Sequence, residues 1–520
     1  MSGVHLKPVQ EFLFIKNLYI MSYSNATVLL LVTYACIMLF FAIRGARRTR
    51  SLADYALGSQ GFSPLVVGLS LAAGITSAAT FIINPGFVAL YGWSAFLAMS
   101  LIIPIALYGS LVVLTKSFRQ YGASVKALTL SQWMSLRYNS KALGIWFAVL
   151  SFLLLTFIVL ICVGLTKVLA PALGVSELPV LTGLVVFVFG YMMFGGANTM
   201  IYTNAVQAVL MLIVAVMMLG SGWQYFSNGV SGFWEQLAAL DPKLILPFNN
   251  SSPLFRDWFE VIFCNLFVGV AIVCQPHIIT RSLMLKRAED VNRYLWIAII
   301  VETVFFMVLF TGFYARLQFP DLSVNGTPLK MDAIIPAYVL QVFPVGAGIL
   351  VILGLISAGL STLEGLIQSV STTLTNDLLA PLIISKEHHE EQHTRLISGM
   401  NKMVIGILAV ITIAWSYYQL QYPNLSVGIL AQNGVYAYFS AAFVPVLLGI
   451  YGKDVPVAAP VAASFTAILV HFSVYYGGLT PYTQGAVRNP AVAAALAILS
   501  ASIVGLVIYL TRKKRGEAVA

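Results

Sequence analysis

The sequence predicts an all-α membrane protein, and three observations support that class. Hydrophobic residues make up 59% of the 520 positions and charged residues only 9%, whereas ordinary soluble domains are about 25% charged. Apolar runs of about 18 to 25 residues recur along the chain, each long enough to cross roughly 30 Å of hydrocarbon as a helix. Backbone groups in lipid must bond within their own segment, so runs of this length indicate helices and not barrel strands.

Thirteen runs fit this description, which predicts about thirteen transmembrane helices. They cover residues 27–43, 63–89, 93–114, 142–165, 179–197, 201–221, 258–275, 294–315, 344–375, 401–418, 426–451, 455–476 and 491–511. We therefore predict one transmembrane domain at 26–511, an N-terminal tail at 1–25 and a C-terminal tail at 512–520. Met1 and Met21 are both compatible as translation starts, since residues 1–20 lack the apolar core of a signal peptide.

The basic residues are distributed unevenly between the two sides of the predicted membrane. If the spans alternate, 21 of the 29 Lys and Arg residues fall in loops on one side. The positive-inside rule predicts that this side is cytoplasmic. We therefore expect a protein of the plasma membrane with its N-terminus outside the cell and its C-terminus in the cytoplasm. The same asymmetry accounts for the net charge of +10, so nucleic-acid binding has no remaining support.

Two of the spans are interrupted by residues that do not suit a continuous apolar helix. The second, "GLSLAAGITSAATFIINPGFVALYGW", mixes small residues and hydroxyls and has a predicted break at 73–76. The seventh contains Gln275 and Pro276. Broken spans at a spacing of five predict two inverted five-span repeats, about 60–222 and 257–452, and a transporter with its site near the midplane. The alternative is that the small residues only serve close helix packing.

A polar stripe occupies the ninth span, in the stretch "AGLSTLEGLIQS" at 358–369. Ser361 and Thr362 lie on one helical face, and Glu364 follows. A stripe facing lipid would cost on the order of 1 kcal/mol for each hydroxyl and about 2.5 to 3.5 for the acid, so we expect it to face the bundle. Hydroxyls and the free carbonyls of a broken helix are the oxygen ligands that a hard cation takes. The alternative is hydrogen bonding to the preceding turn of the same helix.

Several longer motifs occur in the order typical of one family. They are "ADYALGSQGFSP", "NPGFVALYG", "FGGANTMIYTNAVQ", "QPHIITR" and "AGLSTLEGLIQSVSTTLTNDLL". With them the chain, from about residue 25 to 510, resembles the sodium/solute symporter family of proline, sugar, pantothenate and monocarboxylate carriers. The resemblance implies the leucine-transporter-type fold, with one helix before a ten-helix core of inverted repeats and two after it. It implies Na⁺ as the co-transported ion and no organic cofactor.

The family's sodium ligands correspond to five positions of this chain. The resemblance implies backbone carbonyls at Ala73 and Thr76, the carbonyl of Ala358, and the hydroxyls of Ser361 and Thr362. No other metal is expected.

The chain departs from the family's pattern at the entry to the sixth span. Relatives usually have an aspartate where this chain has Asn204. We hypothesise that the charge has moved across the bundle to Glu364, which would bind a second cation or carry a proton. The alternative is a neutral acid bonded to a neighbouring helix.

The substrate is predicted less directly. Bulky aromatic residues of proline carriers are replaced here by Ala79, Val268 and Ile272, which disfavours proline. The run "SAATFIINPG" is most similar to the pantothenate and monocarboxylate branch. No Arg or Lys lies in the interior of the thirteen runs, Lys402 being at the edge of the tenth, so we expect helix N-termini and polar side chains to hold an organic carboxylate. The candidates are Ser77, Thr80 and Asn265.

Together these features predict a secondary symporter that imports a small organic carboxylate with sodium by alternating access. Symport of an amino acid or sugar, coupling to protons, and a membrane sensor on the same fold are the alternatives. No catalytic or phosphate-binding motif is found, so neither an enzyme nor an ATP-driven pump is predicted. The expected partners are the substrate, sodium and the bilayer, and we expect a monomer to suffice.

Overall fold

The computed structural model describes residues 28–59, 61–383, 390–422 and 427–517, and nearly all of them are helical, as predicted. The helices are α1 Val28–Ala46, α2 Leu52–Leu57, α3 Pro64–Ile75, α4 Ala79–Tyr91, α5 Trp93–Ser124, α6 Leu130–Arg137, α7 Lys141–Leu173, α8 Glu177–Gly220, α9 Gly229–Leu240, α10 Phe259–Ile272, α11 Pro276–Met284, α12 Asp290–Gln318, α13 Met331–Val342, α14 Val345–Ile383, α15 Glu390–Gln421, α16 Val427–Tyr451, α17 Ala458–Gly477 and α18 Pro490–Glu517. A short antiparallel hairpin pairs β1 (Ser323–Val324) with β2 (Thr327–Pro328), with Ser323 opposite Pro328.

The number of membrane spans depends on how the bent helices are counted. In the described parts of the chain, ten helices are long and apolar enough to cross a membrane, and up to twelve if each bent pair is one span. The 44-residue α8 is roughly 66 Å long, about twice the hydrocarbon thickness, and its Gly196 has non-helical angles (φ 52°, ψ −140°). A Cβ at Gly196 would lie 2.5 Å from the carbonyl oxygen of Tyr55. Thirteen spans stays a prediction.

Both predicted helix breaks are confirmed, and they have nearly the same bend. The axes of α3 and α4 meet at 55°, and those of α10 and α11 at 56°. At the first break Thr76 is extended (φ −80°, ψ 107°), so the carbonyls of the preceding turn lose their helical partners. At the second, Gln275 is extended (φ −68°, ψ 135°) because Pro276 disfavours a helical residue before it.

The helices pack into one bundle that places the first break against α14. Helix α8 packs along α14, and α3 contacts α8, α12 and α14. Large apolar side chains face outward on several helices, including Leu29 (70% exposed) and Ile300 (63%). Outward apolar surface of this extent suits contact with lipid. The interior instead contains the polar groups of the ninth predicted span.

Two further contacts hold the broken helices in place. Phe62, just before α3, forms an isolated parallel bridge with Leu285, just after α11. The side-chain amide of Gln368 on α14 donates to the carbonyl of Ala56 on α2 at 2.7 Å. The entry to the first broken helix is thus joined both to the end of the second and to the polar helix α14.

Candidate ion and substrate site

Two hydroxyls of α14 face the carbonyls freed at the first helix break. Ser361 Oγ donates to the carbonyl oxygen of Ala73 at 2.7 Å, and that of Ala358 lies 3.1 Å away. Thr362 Oγ1 lies 3.2 Å from the carbonyl oxygens of both Gly74 and Thr76. Ser361 and Thr362 are 0% exposed, so the expectation that they face the bundle and not lipid is confirmed.

The five positions expected to bind sodium therefore lie together. Three of them contribute backbone carbonyls and two contribute hydroxyls, and the carbonyl of Gly74 joins the group although the sequence did not single it out. All these oxygens are uncharged hard ligands, which fits an alkali cation. The role of these oxygens in sodium binding stays a prediction.

Other hydroxyls of the polar stripe follow the alternative of local bonding. Thr372 Oγ1 donates to the carbonyl of Gln368 at 2.7 Å, and Ser369 Oγ lies 3.4 Å from that of Leu366. Such bonds satisfy the hydroxyl within its own helix. Within the polar stripe, Ser361 and Thr362 therefore face the helix break, whereas Ser369 and Thr372 bond to carbonyls of their own helix.

Glu364 lies inside the bundle in a hydrogen-bond network with α8. Its side chain is 0% exposed. Tyr191 donates to Oε1 at 2.6 Å, the Gln207 amide donates to the same oxygen at 3.0 Å, and Thr203 donates to Oε2. Thr203 directly precedes Asn204, so the acid is beside the α8 position at which the family resemblance leads us to expect an aspartate.

Asn204 connects this network to the candidate sodium site. Its side-chain amide donates to the carbonyl oxygen of Ser361 at 3.1 Å. Within the described residues its Oδ1 has no hydrogen-bond partner, and the same holds for Oε1 of Gln207. Two buried amide oxygens close to a carboxylate are groups that a further cation could use.

Helix α1, which precedes the predicted repeats, also reaches this network. The Gln207 amide donates to the phenol oxygen of Tyr34 at 3.0 Å and lies 3.8 Å from the sulfur of Met38. Ser357 Oγ lies 3.4 Å from the same phenol oxygen. Tyr34 therefore joins α1 to both α8 and α14.

Two arginines that lie outside the predicted runs, Arg281 and Arg119, are buried in the helix bundle. Arg281, on α11, is 1% exposed, and its Nε donates to the carbonyl of His277 at 3.0 Å. Its Nη1 donates to the carbonyl and hydroxyl of Ser70 on α3. Arg119 on α5 is 7% exposed. The sequence places both near predicted loops, and only the packing of the helices buries them.

A cavity of about 120 Å³ lies between the two breaks. Ser77 and Thr80 line it as expected, at the start of the first broken helix's second half. Its other polar lining residues are Asn84, Gln275, His277 and Gln432. The wall is otherwise apolar and aromatic, which is the usual composition of a small-molecule pocket.

Asn265, the third predicted substrate residue, does not line this cavity. Its amide donates to the carbonyls of Glu260 at 2.7 Å and Val261 at 3.3 Å, in the first turn of α10. A local backbone acceptor has satisfied the side chain. Gln275 and His277, which the sequence did not propose for substrate, instead line the cavity, and Gln275 Oε1 and His277 Nδ1 have no hydrogen-bond partner within the described parts of the chain.

Bacterial carriers are among the curated proteins that are similar to this chain. A protein named sodium/pantothenate symporter from Escherichia coli (strain K12) is 28% identical over 472 residues, covering 87% of this chain and 92% of the relative. A monocarboxylic acid transporter from Corynebacterium glutamicum is 23% identical and covers 87% and 83%. A sodium/proline symporter 2 from Staphylococcus saprophyticus is 25% identical and covers 86% and 85%.

Solved structures support the fold. A substrate-bound, outward-open structure of a Na⁺-coupled sialic acid symporter superposes with a TM-score of 0.75 at 18% identity, covering 94% of this chain and 97% of the other. Mhp1, a nucleobase-cation-symport-1 family transporter, gives 0.50 at 13% identity, covering 89% and 96%. The leucine-transporter-type fold is thereby confirmed. The model of the sodium:solute symporter family matches residues 55–458, and the chain belongs to that family of membrane transporters.

Proposed function

We propose that the protein is a sodium-coupled symporter that imports a small organic carboxylate. One observation supports the coupling above all others: the buried hydroxyls of Ser361 and Thr362 lie against carbonyls that the break between α3 and α4 has freed. An ion in that position would join α14 to both halves of the broken helix. Its binding energy would then differ between states in which these helices are close and states in which they separate.

The substrate proposal rests on the cavity and on the relatives. The cavity has neutral hydrogen-bonding side chains from both broken helices, including Thr80 and Gln275. The sodium/pantothenate symporters and the monocarboxylic acid transporter have names that denote carboxylate substrates. A hydroxylated carboxylate of the pantothenate type suits a pocket with amide, imidazole and hydroxyl groups on an apolar wall. Hydroxyls and amides would orient it without a lysine or arginine in the lining.

Uptake into proteoliposomes tests this proposal. With an inward sodium gradient, radiolabelled pantothenate should accumulate above its external concentration, and replacing sodium with potassium or choline should abolish accumulation. Pyruvate, proline and glucose as competitors would rank the solute classes. Binding of a solute without accumulation would support a sensor, and accumulation driven by a pH gradient alone would support proton coupling.

We further propose that Glu364 takes the role of the aspartate that relatives usually have at the position of Asn204. The acid's network includes Thr203, the neighbour of Asn204, and Asn204 itself contacts the carbonyl of Ser361. Glu364 would bind a second cation or carry a proton. In Glu364→Gln we expect the charge moved per substrate, measured as current in proteoliposomes, to fall by one, or uptake to lose its pH dependence. Unchanged stoichiometry and pH dependence would exclude both roles.

A further inference from the structure

Arg281 occupies a closed space between three helices next to the candidate sodium site. Its guanidinium donates to the backbone and side chain of Ser70 on α3 and to the carbonyl of His277 on α11. Nη2 has a weak contact with the sulfur of Met200 on α8 at 3.8 Å. The side chain is 1% exposed, so this positive charge is about as deeply buried as the carboxyl group of Glu364, which is 0% exposed.

Two glycines make room for the guanidinium. A Cβ at Gly74 would lie 2.3 Å from Nη2, and one at Gly365 would lie 3.0 Å from the same atom. Gly74 directly follows Ala73 at the break, and Gly365 follows Ser361 by one helical turn. The guanidinium thus lies directly against the backbone of the two helices that form the candidate sodium site.

The guanidinium and most of the cavity contact different halves of the first broken helix, although His277 is next to both. The cavity is lined by residues after the first break, such as Ser77 and Thr80. Arg281 contacts Ser70 and Gly74, which precede the break. This is the side of α2 and of the loops whose basic residues predict a cytoplasmic face. With that orientation, the guanidinium lies between the carbonyls at the break and the predicted cytoplasmic end of α3.

We propose that Arg281 is the inner gate of the sodium site. The guanidinium closes the path between the site and the predicted cytoplasmic face, and its positive charge weakens the binding of sodium on the other side of the Gly74 backbone. Release of sodium then requires α11 to move away from α3, which breaks the bonds to Ser70. This inference rests on the proposed sodium coupling and adds a determinant of sodium affinity and release.

Sodium affinity of Arg281 variants tests the gate. In Arg281→Gln, the sodium concentration for half-maximal thermal stabilisation in detergent should fall by about tenfold, the order expected on removing a like charge less than about 10 Å away in a protein interior. Arg281→Lys retains the charge and should stay within about twofold of the natural chain.

Arg119→Gln provides the matched control. Arg119 is also a buried arginine, and it donates to the carbonyls of Ser282 and Leu285 at 2.9 and 2.8 Å, in and just after the segment that contains Arg281. Its loss should leave sodium affinity unchanged. If Arg119→Gln lowers the half-saturating sodium concentration as much as Arg281→Gln does, the effect is not specific to the gate and the inference is overturned.

A purely structural role for Arg281 predicts the opposite sign. Loss of the bonds to Ser70 would then loosen the site and raise the half-saturating sodium concentration in both Arg281 variants. A rise or no change in Arg281→Gln overturns the inference. If Arg281→Gln does not fold, a several-fold rise in Arg281→Lys overturns it and an unchanged value supports it. If the natural chain neither binds nor needs sodium, the proposed function fails first.

Discussion

The two broken helices have the same bend but different contents. The break between α3 and α4 offers carbonyl oxygens to the hydroxyls of α14, whereas the break between α10 and α11 offers the side chains of Gln275 and His277 to the cavity. The bend angles are 55° and 56°, so the two breaks have the same geometry but present different chemical groups to their surroundings. The first break thus contributes carbonyls to the proposed ion site and, through Ser77 and Thr80, side chains to the cavity, whereas the second contributes side chains to the cavity and leads into the helix of the proposed gate.

The difference follows from what interrupts each helix. Thr76 leaves the helical region without a proline, so several carbonyls near 73–76 are exposed to α14. At the second break Pro276 begins the next helix, and Pro at the first helical position suits that start. Arg281, one turn later, reaches back to α3. The two broken helices therefore come into contact at Gly74. The first contributes the backbone of Gly74, and the second contributes the guanidinium of Arg281.

The largest effect is expected where the two breaks meet. Gly74→Ala would place a methyl group 2.3 Å from Nη2 of Arg281. The side-chain end can shift, so we expect folding with a loss of about 1 to 3 kcal/mol in the free energy of unfolding, and sodium-driven uptake reduced about a hundredfold. Thermal unfolding and proteoliposome uptake measure the two effects.

Gly164→Ala is the control for that substitution. Gly164 is a helical glycine of α7, and a Cβ there would lie 3.8 Å from the Cβ of Ala78, an ordinary contact. Uptake should therefore remain within about twofold of the natural chain. Equal losses in the two variants would mean that α3 tolerates no added volume anywhere near its break, and the special position of Arg281 would lose its support.

A smaller effect is expected from a single hydroxyl at the first break. Thr362→Val keeps the shape but removes the hydroxyl that contacts the carbonyls of Gly74 and Thr76. The sodium concentration for half-maximal uptake should rise about tenfold, since a hydrogen-bonding group at a charged site contributes about 1.5 to 3 kcal/mol. Sodium titration of uptake measures it.

Thr76→Val is the companion to that variant. The Thr76 hydroxyl is buried and has no hydrogen-bond partner in the described part of the chain, and only its carbonyl is expected to bind sodium. Its loss should change the half-saturating sodium concentration by no more than about twofold. A tenfold rise would add this hydroxyl to the ligand set and correct the proposed one.

The smallest effect is expected at the second break. Gln275→Ala removes an amide that lines the cavity, and we expect the substrate KM to rise about fivefold with sodium affinity unchanged, about the effect of one neutral hydrogen bond. Asn265→Ala is the comparison, because that amide bonds within α10, and KM should not change. An equal rise in both variants would restore Asn265 as a substrate residue.

The features that sequence predicted well are local ones. The break at 73–76 follows from small residues and hydroxyls in an apolar run, and the position of Ser361 and Thr362 follows from helical periodicity and the need to avoid lipid. These signals are contained within one or two turns of chain. The family resemblance added the pairing of the two segments, and the structure brings them within hydrogen-bond distance.

The features that sequence missed depend on packing between distant segments. Arg281 follows a Gln-Pro pair so closely that the sequence suggests a loop. Its burial depends on the bonds to Ser70 and on Gly74 and Gly365, which have no side chain to occupy the space of the guanidinium. A glycine in a span indicates that another group packs closely against the helix, but it does not identify that group. The placement of Asn265 was missed for a different reason: its own helix provides backbone acceptors, and the spacing of residues does not exclude such local bonds.

The contact between Tyr34 and Gln207 bears on how this transporter could be dissected. Helix α1 precedes the predicted ten-helix core and faces outward along much of its surface, so it would be an obvious segment to exchange in a chimaera or to remove from a shortened transporter. Yet its phenol is one hydrogen bond away from the amide that contacts Glu364. A core without α1 would therefore carry an altered environment around its buried acid, and its ion stoichiometry should not be assumed to be that of the whole chain.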